Sequence, residues 1–82
     1  MADTLGWRIR IARMRRDITQ KDLARLVGIS RTAMNQIEHG DIVDPRSSHL
    51  CKIADALGVS MDYLAGRTDE EGEVMAAMPE LV

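Results

Sequence analysis

Arg31, Thr32, Asn35 and Gln36 stand in the stretch "SRTAMNQIEHG" at positions that share one side of a helix. Their chemistry suits a flat polar edge. A guanidinium offers two parallel donors, and each amide sets a donor beside an acceptor. Arg can take guanine in a bidentate manner, and Asn or Gln can take adenine, in the major groove of duplex DNA. The plainer alternative is an ordinary solvated helix face, which these residues taken alone favour; base contact is favoured only inside a two-helix frame.

Other chemistries lack the residues they need. Cys51 is the only cysteine, so neither an intramolecular disulfide nor a Cys-only metal site can form. His49 lies two positions away, which makes two candidate ligands and no metal site. Cys51 is expected to pack as a small hydrophobe and His49 to lie at the surface. Carboxylates are not paired for general acid–base work, and neither a Ser–His–Asp grouping nor a phosphate-cradling glycine loop is visible. No enzyme activity, metal or cofactor is expected.

The elements that would carry these side chains are short helices divided by glycines and capping residues. The first runs from about Thr4 to Arg16 on a stripe of Leu5, Ile9 and Ala12. Thr19, three residues before Asp22, opens the second in a capping-box pattern. Leu23, Leu26 and Val27 supply its apolar face, with Ala24 small between them, and Gly28 stops it. After "GIS", Ser30 caps a third helix through His39 with Met34 and Ile37 inward and Ala33 flanking. Ala24 lets these two helices cross closely, Gly28 makes the turn, and Ile29 and Met34 fill the space beneath. Two short helices joined by a tight glycine turn have the form of a helix-turn-helix. Beyond the loop "DIVDP", Ser47 or Ser48 caps a fourth helix carrying Leu50, Ile53, Ala54 and Leu57. Ser60 caps a short fifth with Met61, Tyr63 and Leu64, ended by Gly66. The expected class is all-α.

Size and charge fit one small domain with a tail. The chain of 82 residues holds ten basic and eight acidic side chains over 1–66, and one against five over 67–82. A mildly basic body can face phosphate; an acidic tail can do so only by pointing away. The domain is therefore drawn at 1–66 and the tail at 67–82. Within the tail, Thr68 and Glu71 could form another capping box, and Val74, Met78 and Leu81 share a face only if a helix survives Pro79. Neither a membrane span nor a signal-peptide core is apparent, so a cytoplasmic location is expected. The length leaves no room for an attached ligand-binding or protease-like domain.

Over residues 5–66 the chain resembles the Cro/lambda-repressor family of helix-turn-helix DNA-binding proteins (the Xre type). The resemblance rests on "LGWRIRIARMRR", "TQKDLARLVGISRTAMNQIEHG", "DP" and "LCKIADALGVSMDYL", in the family's order and spacing. It implies a compact five-helix domain with the helix-turn-helix at helices 2 and 3. Residues 19–27 would position and residues 30–39 would read the DNA. It assigns Gln20 to a phosphate contact and to bracing the reading helix. Arg31, Thr32, Asn35 and Gln36 fall on base-reading positions, and Gln36→Ala is expected to weaken binding without harming the fold. Ser30 and Lys21 become candidates for backbone contacts, and Arg46 matches a basic residue lying along the sugar-phosphate backbone. Arg13 and Glu38 match a buried ion pair. His39 departs from the family's usual asparagine or arginine. Asp41 and Asp44 put negative charge where lysine or arginine is common, which predicts few phosphate contacts and a shallow salt dependence.

The function implied is a sequence-specific transcriptional regulator, a repressor, binding a palindromic operator on double-stranded DNA as a homodimer. In the family, dimers often form around the end of helix 4 and helix 5, here Leu57, Val59, Met61 and Leu64. Two alternatives stand beside this reading. One is an antitoxin, or a phage or restriction-modification controller, with a protein partner. The other is a protein-interaction module that has lost DNA binding.

One feature is surplus to all of this. Trp7, Ile11 and Met14 form a second stripe nearly opposite Leu5 and Ile9. Most of Arg8, Arg10, Arg15 and Arg16 are read as surface solubility. A contiguous apolar stripe asks for a cover: the chain's own tail, a second subunit or another protein. Trp7 is expected to be substantially covered.

Overall fold

The computed structural model describes residues 4–68, so the expected tail helix, with Val74, Met78 and Leu81, lies outside the described residues. Five helices follow in order: α1 (Leu5–Arg15), α2 (Gln20–Val27), α3 (Arg31–His39), α4 (Ser47–Leu57) and α5 (Met61–Leu64). Hydroxyl side chains start four of them. Thr4, Thr19, Ser30 and Ser60 each accept a hydrogen bond from the backbone N–H three residues on, at 3.0–3.1 Å. Each bond satisfies a donor that the first helical turn leaves without a partner. The α4 start differs from expectation. Arg46 is its N-cap, no side chain caps it, and Ser47 and Ser48 lie inside the first turn.

Gly28 ends α2 with φ +87°, the left-handed conformation that the tight turn into α3 demands. Asp17 takes the same region at φ 57° after α1. There the N–H of Ile18 reaches the Arg13 carbonyl and that of Asp17 the Met14 carbonyl, a Schellman closure built without glycine.

α1 packs on α3, α4 and α5, and α2 packs on α3 and α4. Ile9, Leu23, Val27, Met34, Ile53, Leu57 and Leu64 are fully enclosed at the centre. Each contributes about 1.5–3 kcal/mol by leaving water. Ala12, Ala24 and Ala54 sit between them and let the helices approach. Leu26 and Cys51 depart from expectation. Leu26 is 61% exposed, and Cys51 is exposed as well. Each lies about 110° around its helix from the middle of the side that faces the core, too far to reach it.

α1 meets the end of α3 at Gly6. A β-carbon there would press on the carbonyl oxygen of Glu38 and come within 2.6 Å of that of Ile37. Both obstacles are backbone, so only glycine allows this crossing.

Arg8 corrects the reading of the basic residues. It is 4% exposed. Its Nη1 donates to the carbonyls of Tyr63 (3.1 Å) and Thr68 (2.8 Å), and its guanidinium lies 4.8 Å from the centre of the Tyr63 ring. Arg8 is a bolt between α1 and the end of α5, combining charge-assisted hydrogen bonds with a cation–π contact. On the outer side of α1, Trp7 keeps 39% of its surface exposed and Met14 57%.

Candidate nucleic-acid interface

Arg31, Thr32 and Asn35 are exposed along the outer side of α3, and Gln36 sits half-buried at its edge. The backbone carbonyl of Gln36 accepts the N–H groups of Gly40, Asp41 and Ile42 at 2.9–3.1 Å, which ties the following loop to α3. His39 continues the exposed row one turn beyond Asn35.

The row is held from behind by a chain of polar contacts. Arg13 Nε donates to Glu38 Oε2 at 2.8 Å and Nη2 to Oε1 at 3.1 Å, a two-pronged pair that fixes α1 to α3. The remaining prong, Nη1, donates to the Ile18 carbonyl at 3.0 Å. The pair is largely enclosed, at 14% and 5% side-chain exposure. Gln20, the first residue of α2, donates through Nε2 to Glu38 Oε1 and to Asn35 Oδ1, both at 3.3 Å. Three helices are thereby linked through Glu38. Asn35 keeps both Nδ2 protons and one Oδ1 lone pair for an outside group.

Between α1, the start of α2 and α3 lies an open cleft of about 430 Å³, lined by Arg10, Arg13, Thr19, Gln20, Arg31, Asn35, Glu38 and His39. Gln20, Arg31, Thr32 and Asn35 line a shallower hollow beside it. Arg10 and His39 were not among the residues expected here. A helical wheel places Arg10 toward α3 and His39 on the outer face of α3, and that was the available signal. Arg31 makes no intramolecular ion pair among the described residues. Its charge stands at the cleft mouth, where the arrangement can receive a polar, negatively charged surface.

The other expected contacts are dispersed. Lys21 is exposed in the first turn of α2, Ser30 is exposed with its hydroxyl accepting the Ala33 N–H, and Arg46 is exposed at the head of α4. None of the three lines the cleft. Leu57, Val59 and Leu64, expected around a subunit contact, are turned into the core instead. They are 1%, 5% and 1% exposed, absorbed by the core. Of that group Met61, at 38%, alone offers surface. The described residues contain no cluster of three side chains able to hold a metal ion. None of their helices is long and apolar enough to cross a membrane.

Residues 9–64 match the helix-turn-helix family model, and the chain belongs to this family, of the Xre or Cro/C1 type. Its members are DNA-binding transcription regulators, not enzymes. Among individual proteins, the chain is 41% identical over 76 residues to the cryptic phage CTXphi transcriptional repressor RstR of Vibrio cholerae, covering 88% of this chain and 67% of that one. It is 33% identical over 66 residues to the HTH-type transcriptional regulator ImmR of Bacillus subtilis, covering 80% of this chain. The match spans about half of ImmR's length (51%). The fold is similar to that of the P22 c2 repressor solved in complex with a synthetic operator. The TM-score is 0.71 at 35% identity, over 76% of this chain and 92% of that one.

Proposed function

We propose that this protein is a sequence-specific transcriptional repressor that binds operator DNA through the outer side of α3. The observation that carries the reading is the exposed Arg31–Thr32–Asn35 row, held by the Arg13–Glu38–Gln20 chain on a helix-turn-helix frame. A row meant only for solvation needs no such bracing. Arg31 suits guanine, and Asn35 or Gln36 suits adenine. Gln20, Lys21, Ser30 and Arg46 contact the phosphate backbone and set the register. The protein acts in the cytoplasm as a homodimer on a palindromic site, with the two reading helices about 34 Å apart, one turn of DNA. Repression follows from blocking polymerase. Asp41 and Asp44 stand in the loop beside the reading helix, so phosphate contacts are few and the salt dependence is shallow.

Arg31→Ala tests the base-reading role. The side chain is exposed, so thermal stability is expected to stay at the parent value. Operator affinity should fall by about 1–3 kcal/mol, roughly ten- to a hundredfold, with relaxed preference at one base pair. Titration of a selected operator, with Lys52→Ala as a charge-matched control on α4, reads this out. Equal losses from both variants would leave only non-specific attraction of positive charge.

A further inference from the structure

The outer side of α1 carries Trp7, Ile11 and Met14, and none of them lines the nucleic-acid cleft. Next to Trp7 stands Arg8, and Arg8 is where the described chain ends. Its Nη1 holds the carbonyl of Thr68 at 2.8 Å. Thr68, the last described residue, is therefore held against α1 one position along from Trp7.

We propose that the chain's own residues 74–81 cover the Trp7–Ile11–Met14 face. Reach favours it. Residues 69–73, when fully extended, span about 16–18 Å. The stripe from Trp7 to Met14 is about 10 Å long. Chemistry favours it too. Val74, Met75, Met78 and Leu81 supply apolar groups, and the methionines fill irregular surfaces well. Asp69, Glu70, Glu71 and Glu73 come first, and Arg10 and Arg15 flank the stripe on its two sides. Opposite charges would guide the segment into place and keep its acidic part on α1, away from the reading face of α3. Size argues against a second copy as the occupant. Three partly exposed side chains fall far short of the roughly 800 Å² per partner that a stable protein interface buries.

Trp7 is the only tryptophan, so its fluorescence reports the cover directly. In the full chain, Trp7 emission should be blue-shifted relative to free indole and weakly quenched by acrylamide, the same at dilute and concentrated protein. In the full-length Val74→Glu/Met78→Glu variant, emission should move to the red and the quenching constant should rise about twofold, because the ring regains water on its outer face. Identical spectra and quenching in parent and variant would overturn the proposal. So would a blue shift that fades on dilution, which would assign the cover to a second copy. A disulfide gives an independent readout. In a Cys51→Ser background, Met14→Cys with Met78→Cys should cross-link within one chain under mild oxidation. Exclusively intermolecular cross-links, or none, would contradict it.

Discussion

Gly6→Ala is expected to destabilise the protein by about 2–4 kcal/mol, lowering its thermal midpoint by roughly 10–25 °C. The sign is what makes the result informative. In an isolated helix, alanine is better than glycine by about 0.8–1 kcal/mol, so local propensity predicts a gain. Tertiary packing predicts a loss, because the new methyl meets the backbone carbonyls of Ile37 and Glu38. Side chains can rotate away from a clash, but the end of α3 cannot move without moving the reading helix. To admit the methyl, α1 must lift from α3, which also lengthens the Arg13–Glu38 pair. Thermal unfolding followed by circular dichroism decides between the two. A midpoint equal to or above the parent's would mean that α1 and α3 do not cross this closely.

The second large effect is expected at Glu38. Its carboxylate receives two prongs of Arg13 and the amide of Gln20. Glu38→Ala leaves an arginine charge largely enclosed without its counter-ion, a loss of about 3–5 kcal/mol. Arg13→Ala strands the carboxylate in the same way. The double variant removes both charges at once, so its loss should be well below the sum of the singles. Their coupling should be on the order of 1–3 kcal/mol. Denaturant unfolding of the four proteins measures it, and additive losses would reduce the pair to an accident of geometry. In Glu38→Ala, Gln20 loses one of its two anchors, so DNA affinity should fall together with stability.

Much of this molecule can be read in its sequence because local chemistry defines its helices. Thr19 and Ser30 announce helix starts, Gly28 and Gly40 announce stops, and the apolar spacing between them sets the inward side. The outer face of α3 follows, since Arg31, Thr32 and Asn35 are what remains outside once Met34 and Ile37 turn inward. What stays hidden depends on partners far along the chain. Gly6 in the first turn looks like a weak helix residue until the end of α3 is placed against it. Arg8 looks like a solvated cation until α5 brings the Tyr63 carbonyl and ring over it. Leu26 and Cys51 look like core residues, because apolar character marks the inward side only to within a wide arc. Leu57, Val59 and Leu64 were expected to hold a second subunit, but a core this small needs them itself. Arg13 and Glu38 are 25 positions apart, and no local pattern pairs them; the family resemblance did.

The central claim is that the outer side of α3 reads a DNA sequence, and binding-site selection tests it most directly. The purified full-length chain is offered a random double-stranded library at low salt, and the bound fraction is sequenced over successive rounds. The expected result is convergence on a two-fold symmetric site with half-site centres about 10 base pairs apart. Arg31→Ala should enrich a motif degenerate at one position of each half. Pools that bind but never converge, or fail to bind at all, would contradict the claim.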